Sequence, residues 1–535
     1  MALSAAPSTQ DVVVIGGGVT GAGVARDLAL RGVSVLLLEK NDWGAGTSGS
    51  STWMIHGGLR YLEYDWETTR LSQEDAGHIV DIARHLVHRV LFLVPVLPDD
   101  PHGIEQVETV MEVYDRYQPL KHAHPHVRLT TEEMLAVEPG LARDLVGGVT
   151  VEEWGVDPHR LAWANVLDAV EHGARALNHA RVTSLIRDGS QVIGVRYVRD
   201  GAEVEARAQV VVNAGGPWSP EIAGMAGQEV RLRPAKGIHL VYDRRVSNFV
   251  ISAEAVDGRD ILMVPHGPIT VLGTTDDDFF GDLDDVEVTP DEVDYLLQAV
   301  ARVFPAIEHL RPVRATTGVR PTLYEWRPIE DRLSRRHELI EHRHAPGLLT
   351  ITGGKLSMYR LMAEETADAA CRRLGVQARC RTSEVRLPGS ESEAPTAAEL
   401  ASEHRVTALG AANALRRHGC RAGAVLQDAR QGRLVCRCEH LAEAELAHAA
   451  RSEQARSLVD AFRRVGLAAG PCAGAACVDR AAQVVGRELG WSASQQVDAA
   501  REFLLGAWLG RAPLLERRGW AQEEMAYAGR RGYTA

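Results

Sequence analysis

Residues 11–40 read DVVVIGGGVTGAGVARDLALRGVSVLLLEK: an apolar run, a glycine-rich turn, a helical segment and a second apolar run that ends in an acid. Buried parallel strands are typically continuous apolar runs, because helices cover both faces of such a sheet. The order strand, helix, strand therefore predicts a βαβ unit of the Rossmann type at the start of the chain.

The glycines of this unit have the spacing of a dinucleotide-binding fingerprint. Gly16 permits a tight turn, Gly18 lets the backbone approach a pyrophosphate, and Gly21 lets the helix pack closely on the strand. Glu39 ends the second strand, where a carboxylate can accept both hydroxyls of a ribose. A glycine pattern alone is weak evidence. Here strand, helix, strand and acid are all in register, so we expect a bound dinucleotide.

Composition sets limits on the rest of the chain. It has 535 residues, 45% of them hydrophobic and 24% charged, with a formal net charge of −13. This charge argues against nucleic acid or an anionic membrane as a general partner, so an anionic substrate needs a local cluster of Arg and Lys. The start, MALSAAPSTQ, lacks the features of a signal peptide, and no apolar run is long enough to span a bilayer. We expect a cytoplasmic protein, with peripheral attachment to the inner face of the cell membrane left open.

The pattern along the chain predicts three regions. Alternating strands and helices predict a dinucleotide and substrate domain over residues 1–387, and a polar, Pro-, Ala- and Glu-rich stretch predicts a linker and helical segment over 388–432. Residues 433–535 read as a small, mostly helical C-terminal domain, with helices expected at 439–450, 455–465, 478–489 and 497–509.

Six further motifs carry a resemblance to a known family. They are TSGSSTWMIHGGLRY (47–61), NAGGPW (213–218), KGIHLVY (236–242), GTTD (273–276), GVRP (318–321) and TGGKLSMYRLMAE (352–364). Together with the fingerprint, and in this order, they resemble FAD-dependent glycerol-3-phosphate dehydrogenases. The resemblance implies a D-amino-acid-oxidase-like α/β fold with an antiparallel substrate sheet. HGGLRY and the His of KGIHL are more similar to the aerobic, single-chain type, and residues 321–336 differ from the usual acidic loop of the family.

The resemblance also implies which residues hold FAD. Thr47, Ser48 and Ser51 would line the pyrophosphate and ribityl chain, and the backbone of Val182 would hold the adenine edge. Gly215 and the turn at Gly354, Lys355 and Leu356 would lie near the flavin. Since that turn opens a helix, its N-terminus can stabilise a reduced anionic flavin.

The implied reaction is the oxidation of sn-glycerol 3-phosphate to dihydroxyacetone phosphate by hydride transfer to flavin N5. His239 is the expected base, because a histidine titrates near neutral pH. Lys355 would orient the hydroxyl or stabilise the flavin. The expected phosphate ligands are Arg60, Arg320 and Arg335, with Arg336 as a substitute for Arg335 and Thr275 as a further contact, since guanidinium forks match phosphate oxygens.

Four of the seven cysteines form two tight pairs, VCRC (435–438) and PCAGAAC (471–477). The pairs are similar to those of the large catalytic chain of the anaerobic type, which carries a ferredoxin-like extension. We therefore expect a [2Fe–2S] cluster held by Cys436, Cys438, Cys472 and Cys477. Cys438 and Cys477 are each expected to precede a helix, whose N-terminus would favour a thiolate. Zinc is an alternative, although zinc sites more often use C-x2-C, and so is a pair of reduced dithiols.

Several questions stay open from the sequence. The electron acceptor is expected to be a quinone or an electron carrier rather than NAD, because the single fingerprint is taken by FAD. Partner subunits or a homodimer would both be compatible with the chain. An amine or 2-hydroxyacid oxidoreductase of the same fold is an alternative function, and a non-enzymatic scaffold for an iron–sulfur carrier is another.

Overall fold

The structure is a computed structural model, which describes residues 8–62, 65–324, 336–427, 432–470, 472–515 and 517–533. The expected phosphate ligand Arg335 lies outside the described residues, as does the side chain of Arg60.

The chain alternates strands and helices up to residue 374 and is mainly helical thereafter. The strands are β1 (Ser8–Ile15), β2 (Val35–Leu38), β3 (Met54–Ile55), β4 (Val87–Val96), β5 (Arg128–Leu129), β6 (Gly147–Val156), β7 (Arg175–Leu177), β8 (Arg181–Asp188), β9 (Gln191–Arg199), β10 (Ala202–Asn213), β11 (Leu232–Tyr242), β12 (Val250–Glu254), β13 (Asp260–His266), β14 (Ile269–Gly273), β15 (Asp277–Asp278), β16 (Arg314–Leu323), β17 (His337–Glu341), β18 (Leu348–Gly353), β19 (Leu434–Cys436) and β20 (Leu441–Ala442). The helices are α1 (Val19–Leu30), α2 (Trp66–Ile82), α3 (Ile104–Tyr114), α4 (Thr131–Val137), α5 (Pro158–Glu171), α6 (Ser219–Gly224), α7 (Pro290–Val303), α8 (Tyr359–Leu374), α9 (Ala397–His404), α10 (Ala408–His418), α11 (Ala422–Leu426), α12 (Glu443–Ser452), α13 (Leu458–Val465), α14 (Val478–Leu489), α15 (Ala493–Arg511) and α16 (Arg517–Tyr533).

The first sheet is the expected Rossmann-type layer. Its main path runs β17-β18-β10-β1-β2-β7, and β1 is parallel to both β10 and β2. Alternate residues of β1 enter two different cores: Val12 and Val14 pack with α1, α5 and α8, whereas Val13 and Ile15 pack on the side of β8, β9 and α6. Burial on both faces explains why this strand is a continuous apolar run.

The second sheet has ten strands, pairs mostly in antiparallel fashion and forms the substrate side of the molecule. The register of β11 with β16 places His239 opposite Thr316 and Ala235 opposite Arg320. On its other edge β11 pairs with β14, where His239 faces Gly273. Antiparallel pairing thus brings together three motifs that are distant in the chain; Gly237 and Thr317, for example, are 80 residues apart. The fold class expected from the sequence is confirmed.

The C-terminal region, α12 to α15 with the short β19–β20 hairpin, has a hydrophobic core of its own. Buried ion pairs join it to the loop after β2 and to α5: Arg464 donates to Asp42 of that loop with two nitrogens at 2.6 and 2.9 Å, and both side chains are completely buried. Arg160 similarly donates to Glu453 at 2.8 Å. No helix in the described part of the chain is long and apolar enough to cross a membrane.

Candidate active site

A cavity of about 940 Å³ lies between the two sheets, at the carboxyl ends of β1 and β2. This is the position at which open α/β sheets bind ligands. The cavity continues from the fingerprint to the substrate sheet, so one space reaches both the predicted cofactor ligands and the predicted substrate ligands.

The fingerprint glycines are required by close backbone approach. Gly16 has a φ of +107°, and a Cβ there would lie 2.4 Å from the Ala214 carbonyl oxygen. A Cβ on Gly21 would lie 2.0 Å from the Gly16 carbonyl oxygen. Gly18 differs, because an added Cβ would meet only the Ser48 hydroxyl, at 3.2 Å, and would otherwise fill the cavity at the N-terminus of α1. The open space at the N-terminus of α1 fits a pyrophosphate.

Glu39 lies where the fingerprint predicts the ribose acid. Its carboxylate accepts hydrogen bonds from the backbone N–H groups of Gly17, at 2.6 Å, and Asn41, at 2.7 Å. Burial raises the pKa of Glu39, and the two backbone donors oppose that shift. A carboxylate can accept about four hydrogen bonds, so capacity for ribose hydroxyls remains.

The hydroxyls expected along the pyrophosphate and ribityl chain all line the cavity. Ser48 Oγ accepts the N–H of Val19 in the first turn of α1, at 3.0 Å. Thr47 Oγ1 donates to the carbonyl oxygen of Val319 on the substrate sheet, at 2.5 Å. The segment that carries Thr47, Ser48 and Ser51 therefore links the two sheets. Val182 of β8, which is expected to hold the adenine edge, also lines the cavity.

Gly215, Gly354, Lys355 and Leu356, which are expected near the flavin, all line the cavity. Gly354 has a φ of +77°, and Leu356 begins a 3-10 turn that leads into α8. The Lys355 ammonium donates to the His56 carbonyl oxygen at 3.2 Å and to Ser72 Oγ at 3.3 Å. It also lies 4.8 Å from the centre of the Tyr61 ring.

His239 and Arg320 face this cavity from adjacent strands. His239 is 2% exposed, and neither ring nitrogen has a hydrogen-bond partner among the described residues. Burial, then the charges of Arg320 and His266, lowers the pKa of His239 to about 3. The imidazole is therefore neutral at physiological pH.

The GTTD segment (273–276) accepts hydrogen bonds from the Arg320 guanidinium. Nη2 donates to Thr274 Oγ1 at 2.8 Å and to the Thr275 carbonyl oxygen at 3.1 Å. The Thr275 hydroxyl instead accepts the N–H of Ile238, at 3.1 Å, so Thr274 lines the cavity and Thr275 does not.

Asp276 and Glu153 are among the charged cavity residues that were not anticipated. Asp276 lies 3.6 Å from Arg320 Nη1, and Glu153 enters the cavity from β6. Asp276 is the last residue of the GTTD motif, so the sequence contained a signal for this residue. Glu153 lies in none of the motifs. Arg336, the substitute for Arg335, also lines the cavity, where it forms an ion pair with Asp65 at 2.8 Å.

The four motif cysteines lie in the C-terminal region as two pairs. Cys438 Sγ and Cys472 Sγ are 3.8 Å apart. A hydrogen bond from the Cys477 thiol lowers the pKa of Cys436 to about 5, and Cys477 interacts electrostatically with all three other cysteines. Across the described ranges, no group of three or more His, Cys, Asp or Glu has the arrangement of a metal site. Four cysteine sulfurs have the donor chemistry of a four-thiolate metal site, but in the structure these sulfurs are arranged as two pairs.

The expected helix positions around these cysteines are only half right. Cys477 is the N-cap of α14, as predicted. Cys438 was expected to precede a helix directly, which is wrong: β20 intervenes, and α12 begins only at Glu443. The apolar residues Leu441 and Ala442 form β20, which pairs with β19, the strand that carries Cys436. They therefore belong to a strand and not to the expected helix.

The open space at Gly18 generates a prediction. Gly18→Val would place a branched side chain where the pyrophosphate fits, so the purified protein should lose most of its FAD absorbance at about 450 nm. Gly224→Ala is the matched control, because no heavy atom lies within 4 Å of a Cβ at this glycine, outside the cavity. A Gly18→Val protein as yellow as the parent would contradict the placement.

Comparison with known proteins agrees with this geometry. Residues 11–369 match the FAD dependent oxidoreductase family, and residues 380–496 match the C-terminal domain of alpha-glycerophosphate oxidase. One relative is a subunit of the anaerobic glycerol-3-phosphate dehydrogenase of Escherichia coli (strain K12). It is 37% identical over 515 residues, which cover 95% of this chain and 93% of that protein. The glycerol-3-phosphate dehydrogenase of Synechocystis sp. is 32% identical, covering 85% and 88%.

A solved structure shares the whole architecture. The glycerol-3-phosphate dehydrogenase of Bacillus halodurans, complexed with FAD, has a TM-score of 0.75 and 26% identity, and the match covers 95% of this chain and 96% of that one. With the fingerprint, the two-sheet cavity and relatives along nearly the full length, the chain belongs to the FAD-dependent glycerol-3-phosphate dehydrogenases.

Proposed function

We propose that this enzyme oxidises sn-glycerol 3-phosphate at C2 to dihydroxyacetone phosphate, and that its electrons leave to a quinone or an electron carrier. The observation that carries the proposal is the pairing of β11 with β16, which points a neutral histidine and an arginine into one cavity with the FAD ligands. Bound FAD supplies the hydride acceptor at N5. The remaining tasks, gripping the phosphate and removing the hydroxyl proton, belong to side chains of this chain.

His239 is the proposed base. A ring nitrogen without a partner among the described residues is ready to accept the C2 hydroxyl proton as the hydride leaves, since a general base must reach the proton that it takes. Its lowered pKa keeps it unprotonated before substrate binds. The phosphate dianion would oppose the Arg320 charge and so favour the imidazolium that forms during the reaction.

Arg320 is the proposed phosphate ligand, and Thr274 and Thr275 set the plane of its guanidinium. Asp276 neutralises part of its charge in the absence of substrate. Arg60, Arg335 and Arg336 are further proposed phosphate ligands, and Arg336 lines the cavity. We propose that Lys355 orients the C2 hydroxyl or stabilises the reduced flavin, because it is a fixed cation at the cavity wall.

For the cysteines we propose a [2Fe–2S] cluster held by Cys436, Cys438, Cys472 and Cys477. Four thiolates suit iron–sulfur or zinc. Cys436 and Cys477 belong to one core, and Cys438 packs against that core and lies 3.8 Å from Cys472. Such a cluster would carry electrons singly after the two-electron oxidation.

Because the E. coli relative is one subunit of its enzyme, partner subunits are proposed here too. We propose peripheral attachment to the inner face of the cell membrane as the setting of a quinone acceptor.

Arg320→Ala tests the phosphate grip. Loss of a charge-assisted fork worth ~1.5–3 kcal/mol should raise KM for glycerol 3-phosphate about 10- to 150-fold, with a smaller effect on glycerol. Arg233→Ala is the matched control, because Arg233 contacts the same Asp276, at 3.6 Å, from outside the cavity. Equal KM values for the two variants would refute the role of Arg320.

The pKa of His239 predicts the pH profile of the reaction. A base with a pKa of about 3 is fully deprotonated above pH 5, so kcat/KM should show no acid limb from this residue between pH 5 and 8. The measurement is stopped-flow flavin reduction at each pH. Rate constants are calculated from the concentration of the substrate dianion, so that titration of the substrate's phosphate group does not contribute to the pH profile. An acid limb near pH 6.5 after that correction would contradict the expectation.

Metal content tests the cysteine site. Protein purified without oxygen should contain about two irons per chain and, after dithionite reduction, a paramagnetic signal of a reduced [2Fe–2S] cluster. Cys472→Ser should lose both, whereas Cys420→Ser, outside the two pairs, should retain them. Zinc in place of iron, or no metal, would remove the electron-transfer role from this region.

A further inference from the structure

A charged cluster is buried beneath the cavity wall, between β6 and the segment that follows α3. Glu153 is 3% exposed and lines the cavity, and it forms an ion pair with Lys121, which is completely buried. Tyr114, also completely buried, donates its hydroxyl to Glu153 at 2.5 Å. Burial and the Glu153 carboxylate raise the pKa of Tyr114 well above its usual value, so the phenol stays a donor.

This cluster packs against the turn His56-Gly57-Gly58 and binds it by a hydrogen bond. The Gly57 N–H donates to Glu153 Oε2 at 3.2 Å, and Thr69 donates to the Gly58 carbonyl oxygen, also at 3.2 Å. A Cβ on Gly57 would lie 2.4 Å from the Tyr114 hydroxyl oxygen, so the turn is packed directly on the cluster. Gly58 has a φ of +77°, a left-handed conformation that suits glycine.

The other side of this turn faces Lys355. The His56 carbonyl oxygen accepts from the Lys355 ammonium at 3.2 Å, and a Cβ on Gly58 would lie 2.5 Å from the same nitrogen. The chain of contacts thus runs from Glu153 through the Gly57 peptide to the ammonium at the cavity wall.

Stability alone is a weak reason for burying such a pair. Replacing a buried ion pair by apolar side chains of similar size is often neutral or stabilising, because two desolvated charges cost nearly as much as their attraction returns. A buried pair that instead holds a catalytic turn in place has a different role, which substitution can reveal.

We propose that Glu153 is a positioning residue for the reaction: it fixes the 56–58 turn and, through the His56 carbonyl, the location of the Lys355 ammonium. The inference rests on the proposed role of Lys355 in the oxidation of glycerol 3-phosphate.

The first test is Glu153→Gln, which keeps the size of the side chain and removes its charge. Flavin reduction by glycerol 3-phosphate should slow on the order of 10- to 100-fold in kcat, as expected for displacement of a catalytic group, with little change in KM or FAD content. Glu152→Gln is the matched control: Glu152 is the neighbouring buried acid on β6, contacts Arg89 and His124, and does not line the cavity. It should react at the parental rate.

A double-mutant cycle with Lys355→Met separates positioning from general destabilisation. If Glu153 acts through Lys355, Glu153→Gln should slow the Lys355→Met enzyme by less than about twofold, because contributions through one shared group are not additive. Rate losses that multiply would refute the proposal. Because Glu153→Gln leaves Lys121 as an unpaired buried cation, Glu153→Gln/Lys121→Met is measured in parallel, and it should slow kcat to the same extent.

Two results distinguish failure of the proposed reaction from failure of the proposed role of Glu153. A parental enzyme whose flavin is not reduced by glycerol 3-phosphate would overturn the proposed reaction. A parental enzyme that is reduced, with Glu153→Gln and Glu152→Gln reacting at equal rates, would overturn only the role of Glu153.

Discussion

The architecture depends on how closely the backbone of α1 approaches the end of β1. The Gly16 carbonyl oxygen lies where a side chain on Gly21 would begin, and Gly16 itself lies against the Ala214 carbonyl. Without side chains at these positions, the helix begins directly above the strand ends, and its N-terminus faces the cavity. The cofactor pocket is thus a consequence of missing Cβ atoms as much as of the groups that line it.

A second close contact joins cofactor and substrate regions. Thr47 bonds to Val319, and a Cβ on Gly318 would lie 2.3 Å from that of Ser50. The segment that carries Thr47 and Ser50 therefore packs directly on β16, the strand that carries Arg320. A shift of that strand would move Arg320 relative to the residues proposed to hold FAD, so the contact keeps the two sets of side chains in a fixed relation.

The C-terminal region is attached to the same part of the molecule. Asp42 follows Glu39 by three residues, and its burial against Arg464 fixes the turn after the ribose acid. Arg464 and Arg463 hold the pKa of Asp42 below its usual range despite burial. Arg314, on β16, lies 5.2 Å from the Phe462 ring of α13, so the substrate strand also contacts the domain with the cysteines. Removing one partner of a completely buried ion pair costs about 3–5 kcal/mol, so the two regions are strongly joined.

The sequence by itself determined the Rossmann unit, because glycine spacing and apolar periodicity are local properties that follow directly from backbone geometry. The family and its cofactor were indicated by a resemblance, carried by six short motifs in order along the chain. The sequence also indicated His239 and Arg320, since each lies within a short motif. Only the tertiary structure decided that Thr274 rather than Thr275 faces the cavity, that His239 is buried without a hydrogen-bond partner among the described residues, and that Glu153 binds the 56–58 turn. These facts depend on strand register and on packing between segments about 100 residues apart, such as Gly57 and Glu153, and no local pattern encodes them.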